Sequence, residues 1–418
     1  MRKCEKMSNN SYLALGEELD RENWVFTKYR VTTDLPIEKA AENIAAEQST
    51  GTWTGISTLK DDIFEKYAAK VTSIDGDMVT IAYPVEDFCI ERGAIPQILS
   101  VIAGNLFGLE TIKGVRLEDV EFCPSILKKY KGPKFGDKGL REILGRPEKP
   151  LVGTIVKPKI GLNPKDTAAY VYEAGSGGLT NGKDDETLVD QTFCPIEART
   201  KAIAEALDRL KEEGHRMVHA INISTNGQDI RDLAEDVQKW GATQIMVDVI
   251  TCGYGAVQAV AEDPRIKVPV HVHRTMHGAM TKDPLNGISM RVVSKLVRMC
   301  GGDALHIGTL GVGKMAGDPT EGRQNQDACQ SDDVPFKKVL PVCSGGMYPG
   351  IVPGVMKAAG NNIQIQAGGG VAGHPRGVRA GAMAMCQAVD AAYEGIPLQD
   401  YAKDHAELRE ALERWGSK

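Results

Sequence analysis

Four consecutive residues, Lys183-Asp184-Asp185-Glu186, set a lysine among three carboxylates where an apolar segment ends. If that segment is a strand, Lys183 and Asp185 project to one face, and a turn after Asp185 brings Glu186 round to join them. Oxygen ligands grouped in this way suit Mg²⁺. A lysine among them supplies a competing cation unless its amine is neutralised or converted into a group that carries oxygen. Taken alone, such a run is more often a solvated charge cluster at a helix start, so the rest of the chain has to decide.

Other groups with chemical potential recur at the ends of apolar runs. Lys157 and Lys159 flank Pro158, which predicts a stiff, extended segment with both amines on one side. A lysine close to other cations and partly desolvated has a lowered pKa, which suits proton transfer. Gly368-Gly369-Gly370 and Ser344-Gly345-Gly346 are glycine-rich turns whose backbone amides can receive phosphate. Arg274 and His306 are candidates for a second phosphate, the arginine by its two-pronged fork. His271 and His277 read as hydrogen-bonded core or supporting residues. The segment Gly308 to Lys314 is punctuated by glycine and ends on one cation, the pattern of a closing lid. Near the start of the chain, Glu47-Gln-Ser-Thr-Gly-Thr-Trp-Thr54 offers hydroxyls and a glycine to a phosphate, although such a stretch is commonly a polar turn.

These groups need elements to position them. A chain of 418 residues, 42% hydrophobic, can bury one large core and a second, smaller one. Residues 1–20 read as a loose extension and 21–130 as an α+β sandwich. Its strands are Trp24–Val31, Met78–Tyr83 and Leu117–Phe122, and its helices are Ile37–Ala46 and Ile95–Phe107. A charged, Gly-Pro-containing linker is expected over 131–150. From Leu151 to the end, apolar strands finish near Lys157, Lys183, Asn222, Asp248, His273, His306, Ser344 and Gly368. Their spacing fits repeated strand-plus-helix units, and eight of them predict a (β/α)₈ barrel with C-terminal helices, an open doubly wound sheet being the alternative. Barrel catalytic groups sit at or just after the C-terminal ends of strands, which is where the polar groups named above from Lys157 onward fall.

Composition removes several classes of function. The net charge of −6 and the lack of a long basic run argue against nucleic acid as a partner. Nine cysteines without metal-ligand spacing predict reduced thiols in a cytoplasmic protein. No stretch approaches the 18 or so apolar residues of a membrane span, so no membrane partner is expected.

Together Val156-Lys-Pro-Lys159, Gly177-Gly-Leu with Lys183-Asp-Asp-Glu186, His271-Val-His-Arg-Thr-Met-His277, Leu305-His-Ile-Gly308 with Gly313-Lys314, Ser344-Gly-Gly346, Gly368-Gly-Gly370 and Ser49-Thr-Gly-Thr-Trp53 resemble the large subunit of ribulose-1,5-bisphosphate carboxylase/oxygenase. The pattern, with Ala103-Gly-Asn105 and Tyr401-Ala-Lys-Asp-His405, is most similar to archaeal form III enzymes, which act without a small subunit. The resemblance implies Mg²⁺-dependent carboxylation of ribulose 1,5-bisphosphate by CO₂, or oxygenation by O₂, in a nucleotide-salvage setting. It implies that an activator CO₂ forms a carbamate on Lys183, which then binds the metal with Asp185 and Glu186. Catalytic roles fall to Lys183 as base, Lys157 for proton handling, His273 near the metal and Lys314 for the developing carboxylate. Thr52, Trp53, Gly368 and Gly369 would hold one phosphate and Arg274 and His306 the other, with Ser344 on a sugar hydroxyl and Lys159, Gly345 and Gly346 completing the substrate site. Glu47, Thr52, Trp53 and Asn105 would come from a neighbouring subunit, which makes a homodimer, or a higher assembly of dimers, the working unit.

Two other readings compete. RuBisCO-like proteins on this scaffold enolise or isomerise other phosphorylated compounds, and Thr180-Asn181-Gly182 before Lys183 departs from the aspartate and bulkier residues frequent in the carboxylases. A silent phosphate-binding or assembly protein is the third reading, and retention of Lys157, Lys183, Asp185, Glu186 and Lys314 speaks against it.

Overall fold

The computed structural model describes residues 11–52, 54–92, 95–146, 148–313 and 317–417. The chain divides into two compact units, Met1–Tyr130 with His277–Val293 and Lys131–Met276 with Ser294–Lys418.

The first unit is built on a sheet of β1 (Trp24–Thr32), β2 (Lys70–Asp75), β3 (Met78–Pro84) and β4 (Gly114–Glu121) in the order β4-β1-β3-β2. Alternate residues of β1, Val25, Thr27, Tyr29 and Val31, are buried, as expected for a strand with one covered face. Helix Ile37–Glu47 buries Ala40, Ala41, Ile44 and Ala45, a stripe at three- and four-residue spacing. The Tyr29 hydroxyl donates to the Ile102 carbonyl at 2.7 Å and lies 3.0 Å from the Tyr83 hydroxyl, so the polar end of a wholly buried ring is satisfied. Strand β2 and the two-residue strand Gly287–Ile288, which pairs parallel to β4 through Arg116 and Leu117, are additions to the sequence reading. So is the break at Gly104 that ends the helix begun at Ile95 and leaves a separate turn at Asn105–Gly108. Residues 1–10 lie outside the described residues, but the remainder of the expected extension is anchored, since Leu13 pairs with Val71 and Ala14 is buried.

The second unit is a closed parallel barrel of β5 (Leu151–Ile155), β6 (Asn181–Lys183), β7 (Val218–Asn222), β8 (Gln244–Asp248), β9 (Val270–His273), β10 (Ala304–His306), β11 (Leu340–Ser344) and β12 (Gln364–Ala367). Closure is made by β12 against β5, with Gln364 opposite Leu151 and Ala367 opposite Thr154. The fold is therefore the α/β arrangement that the strand count predicts, a (β/α)₈ barrel after an N-terminal α+β domain.

The barrel floor is apolar and plugged. The stretch 131–150, read above as a linker, contains helix Gly136–Leu144, whose Leu140 and Leu144 join Leu151, Val218, Ala304, Leu340 and Val342 in one buried cluster. Each leucine so buried contributes about 1.5–3 kcal/mol. Asp303 locks the helix in place: one carboxylate oxygen accepts from the Phe135 and Gly136 N–H groups at 2.7 Å, and the other accepts from Val270 N–H at 2.8 Å. Gly136 has φ 66°, and a Cβ there would lie 2.6 Å from the Lys338 carbonyl oxygen, so only glycine lets the chain turn into this helix. Asp303→Ala would leave three N–H groups without their acceptor, and each buried unsatisfied group costs about 1–3 kcal/mol. The variant should lose at least about 3 kcal/mol in urea unfolding, and an unchanged midpoint would remove Asp303 from this role.

Candidate active site

Lys183 is the last residue of β6 and only 1% exposed. Its amine donates to the Asp184 carbonyl at 2.8 Å and lies 3.4 Å from Glu186 Oε2. Lys157, just beyond β5, donates to Asp185 Oδ2 at 2.8 Å. Two ammonium and two carboxylate groups thus form the mouth of the barrel at β5 and β6, and Ile155 stands opposite Lys183 in register. Burial pulls the Lys183 pKa below that of an ordinary lysine, although the surrounding carboxylates oppose it. Burial also raises the Glu186 pKa, but the Lys183 charge and His273 outweigh it and bring the group to about 2. A depressed carboxyl pKa stabilises the fold above the unfolded value and loses that contribution as the pH falls toward about 2.

Beneath this group lies a buried anchor. Asp184 is fully buried and receives Arg199 Nε at 3.1 Å, the Asn222 N–H at 3.0 Å and His219 Nε2 at 3.1 Å. Burial works against its carboxylate, yet Arg199 and His219 hold its pKa below the usual range. Arg199 is itself wholly buried and spends its other N–H groups on the Cys194 and Val189 carbonyls at 2.8 and 2.7 Å. Gly182 makes room for this arrangement, because a Cβ on it would overlap the His219 ring nitrogen Nδ1. The departure at Gly182 noted in the sequence is therefore a fitted pair with His219, its register partner on β7.

A histidine line runs across the opposite wall. His271 Nε2 and His306 Nε2 are 2.8 Å apart, and His306 Nδ1 is 2.6 Å from Ser344 Oγ, so β9, β10 and β11 share one hydrogen-bond chain. Burial, assisted by neighbouring positive charge, lowers the pKa of His271, His273 and His306 and keeps these rings neutral. Thr275 N–H donates to His273 Nδ1 at 3.1 Å, which places the ring proton on Nε2, 3.7 Å from Glu186 Oε2. Asp248 Oδ2 lies 3.5 Å from that same Nδ1 and has no hydrogen-bond partner among the described residues. The Arg274 guanidinium packs over Gly308, whose Cβ would lie 3.2 Å from Nη2, and burial lowers its pKa to about 10, still far above neutrality.

Gly368 lies against Lys157, with 3.0 Å between a built Cβ and Lys157 Cε, so the turn after β12 meets the first lysine. Gly345 and Gly346 have φ of 115° and 69°, conformations that need glycine, and they follow Ser344 at the end of β11. Gly369 begins the short helix Gly369–Ala372. Lys159 is exposed and has no side-chain partner among the described residues. The Lys157–Pro158 peptide is cis, and residues 157–160 form bends, in place of the extended segment expected there. In the first unit, Asn105 Nδ2 donates to Glu47 Oε1 at 3.2 Å, which joins two of the predicted residues, and Thr52 is exposed. Trp53 and Lys314 lie outside the described residues. Sequence reasoning did not find Arg199 or His219, and it left Asn222 and Asp248 as bare strand ends. A buried arginine on helix Ile196–Glu212, one turn from its start, was the available signal for the first of these.

Among the described residues no three His, Cys, Asp or Glu side chains converge as a metal-binding group. The donor set at the barrel mouth is two carboxylates and a lysine, each carboxylate already facing an ammonium. It fits a hard divalent cation only if the Lys183 amine is converted to an anionic oxygen donor.

Two family models cover the chain: the ribulose bisphosphate carboxylase large chain N-terminal domain over residues 17–126 and the catalytic domain over 137–415. The chain belongs to the ribulose bisphosphate carboxylase large-chain family. Curated members include the ribulose bisphosphate carboxylases of Methanocaldococcus jannaschii, 42% identical with 91% of this chain and 94% of that protein covered, and of Pyrococcus furiosus, 40% identical with 95% of each covered. Among solved structures, the octameric enzyme of Pyrococcus horikoshii in complex with sulfate matches at a TM-score of 0.91 and 37% identity over 97% of this chain and 96% of that one. The dimeric archaeal enzyme of Hyperthermus butylicus matches at 0.88 and 38%, over 97% and 99%.

The Gly182–His219 pairing is testable by a double-mutant cycle. Gly182→Ala should cost about 1–3 kcal/mol through overpacking, and His219→Ala should cost less in that background than alone, because the contested space has already been lost. Simple additivity of the two urea-unfolding effects would show that the residues do not share the space.

Proposed function

We propose that this chain is a Mg²⁺-dependent carboxylase of ribulose 1,5-bisphosphate that forms 3-phosphoglycerate, with O₂ as the alternative to CO₂. The observation that carries the proposal is the Lys183 amine, buried at a barrel strand end beside Glu186 and the Asp184 carbonyl and across from the Lys157–Asp185 pair. Burial favours the neutral amine, the form that adds CO₂: the ammonium first gives one proton to solvent, the amine then forms an N–C bond and gives up a second proton, and a carbamate anion stands where the ammonium was. Lys183 in that form, with Asp185 and Glu186, would hold Mg²⁺. The metal would polarise the oxygens of the bound substrate as a Lewis acid.

The chain's own side chains take the remaining roles. The C3 proton is taken at Lys183, protons at the enediolate and at the final carbanion are handled by Lys157, and His273 assists from beside Glu186. Lys314 stabilises the developing carboxylate. Gly368 and Gly369, with Thr52 and Trp53, receive one phosphate, and Arg274 and His306 receive the other. Ser344, Gly345 and Gly346 face the sugar hydroxyls, and Lys159 is free to meet the substrate. The archaeal relatives and the retained lysine-carboxylate set support a carboxylase over the enolase reading.

With Mg²⁺ and ribulose 1,5-bisphosphate, the purified protein should move labelled bicarbonate into 3-phosphoglycerate, and ¹³C-carbonate should give a carbamate resonance that is missing from Lys183→Arg. Lys183→Arg should also be inactive. Lys314→Ala should lose roughly 10²-fold or more of the incorporation and still exchange the C3 proton with solvent. Incorporation by Lys183→Arg at the wild-type rate would overturn the carbamate.

We also propose a homodimer, or a multiple of dimers, in which Glu47, Thr52, Trp53 and Asn105 serve the site of a neighbouring copy. The dimeric and octameric archaeal structures support this assembly. Mixed dimers of Glu47→Gln and Lys157→Ala chains should regain part of the activity that each homodimer lacks, because one site then has both parts intact. Heterodimers that form and stay inactive would refute the sharing.

A further inference from the structure

The opposite end of the barrel carries a second concave surface that the proposed reaction does not use. A cleft of ≈ 370 Å³ is walled by Gly145 and Arg146 ahead of β5, Gly178 ahead of β6, and Gly214, His215 and Arg216 ahead of β7. It therefore lies at the strand N-termini. From Leu179 on its wall to Lys183 at the end of β6 is four residues along the chain, roughly 13 Å at about 3.3 Å each if extended, so a ligand here would not touch the side chains at the mouth.

Its charge is unbalanced. Arg146 and Arg216 are both exposed, and neither side chain has a hydrogen-bond or ion-pair partner among the described residues. The Arg216 guanidinium crosses Gly145, with 3.1 Å between a built Cβ and Nη1, and Arg146, the next residue, lines the same cleft. Glu213, the carboxylate nearest His215 in sequence, already accepts from the Tyr172 hydroxyl at 2.9 Å and Arg209 Nε at 3.0 Å. Gly145, Gly178 and Gly214, with φ of 63°, 96° and 87°, carry no side chain to fill the cleft, but their N–H groups close helix C-termini on the Glu142, Gly175 and Lys211 carbonyls, so an anion here would be held by side chains and not by the backbone. The other floor cleft, of ≈ 470 Å³, shows the contrast. Lys134 donates there to the Asp263 and Ile266 carbonyls at 3.0 and 2.6 Å, Lys337 donates to the Lys134 carbonyl at 2.5 Å, and Lys338 pairs with Asp332 at 2.9 Å. Three of its four lysines, all but Lys138, are committed to the fold, whereas neither arginine is. Two unpaired guanidinium forks suit the oxygens of a dianion, and the cleft has room for a phosphoryl group with a small organic substituent.

We propose that this cleft binds a phosphoryl anion, with Arg146 and Arg216 as its two charged arms and His215 as a further donor. Equilibrium dialysis of the intact protein against ³²P-labelled inorganic phosphate, and separately against ³²P-ribose 5-phosphate, tests it. Wild type should bind one more phosphoryl ligand per chain than Arg146→Ala/Arg216→Ala, because phosphate binding at the barrel mouth is common to both. Each single Arg→Gln variant should lose at least tenfold in affinity for that extra site, with an unchanged circular dichroism spectrum. Tighter binding of ribose 5-phosphate than of phosphate would assign the cleft to a phosphate monoester, and equal binding would assign it to the free ion. Isotherms that coincide for wild type and the double variant overturn the proposal. So does a change in assembly size by light scattering with phosphate binding unaltered, which would assign the arginines to a contact between copies.

Discussion

The burial of Lys183 is the constraint on which the barrel mouth depends. An ammonium at 1% exposure has lost its water, and the loss is tolerable only where oxygen atoms replace the solvent. The Asp184 carbonyl and Glu186 do so directly. Asp184 has its own side chain turned the other way, into the buried clasp of Arg199, His219 and the Asn222 N–H. That clasp keeps a three-residue strand in a fixed position where it has too few ladder hydrogen bonds to hold itself. Lys183 is thus positioned from behind by a residue that does not face the mouth.

The two ends of the barrel divide the labour. At the floor, Leu140, Leu144, Leu151 and Leu340 supply apolar burial, and Asp303 ties the helix before β5 to the start of β9. At the mouth nearly every strand ends on a polar residue, and the cost of burying those groups is met by pairing them with one another. The stability supplied at the floor is what permits so many desolvated charges and neutral histidines at the mouth.

How much of this was legible in the sequence depended on how local each determinant is. The barrel strands were readable, with observed ends at or within two residues of those expected, because each apolar run is stopped by a polar residue or a glycine. Lys183, Asp185 and Glu186 were readable for the same reason, being adjacent in sequence. Gly287–Ile288 was not, since two residues make a strand only through a partner about 170 positions away. Helix Gly136–Leu144 passed for a linker because its charged positions mask an apolar pair that shows itself only against the barrel floor. His219 and Arg199 were invisible because neither resembles a site residue until Asp184 is placed between them. The fit of Gly182 was not readable either, because the ring that fills its space belongs to His219 on the next strand.

The electrostatics of the mouth also bear on the order in which its proposed parts assemble. With Lys183 as an ammonium, its charge is the largest influence that holds Glu186 down near a pKa of 2 against the effect of burial. Conversion of Lys183 to a carbamate would remove that cation and add an anion beside Asp185 and Glu186. Three carboxylate-like groups would then share a poorly hydrated space, with Lys157 as the remaining partner of Asp185. Such a cluster is unfavourable unless a cation enters, whereas the same cation is repelled while Lys183 is still an ammonium. In the proposed site CO₂ addition and divalent-cation binding would therefore be coupled and reciprocal, each raising the affinity for the other by the same factor. Neutral His271, His273 and His306 fit this scheme, because charged imidazoles on the facing wall would compete with the metal for the same oxygens.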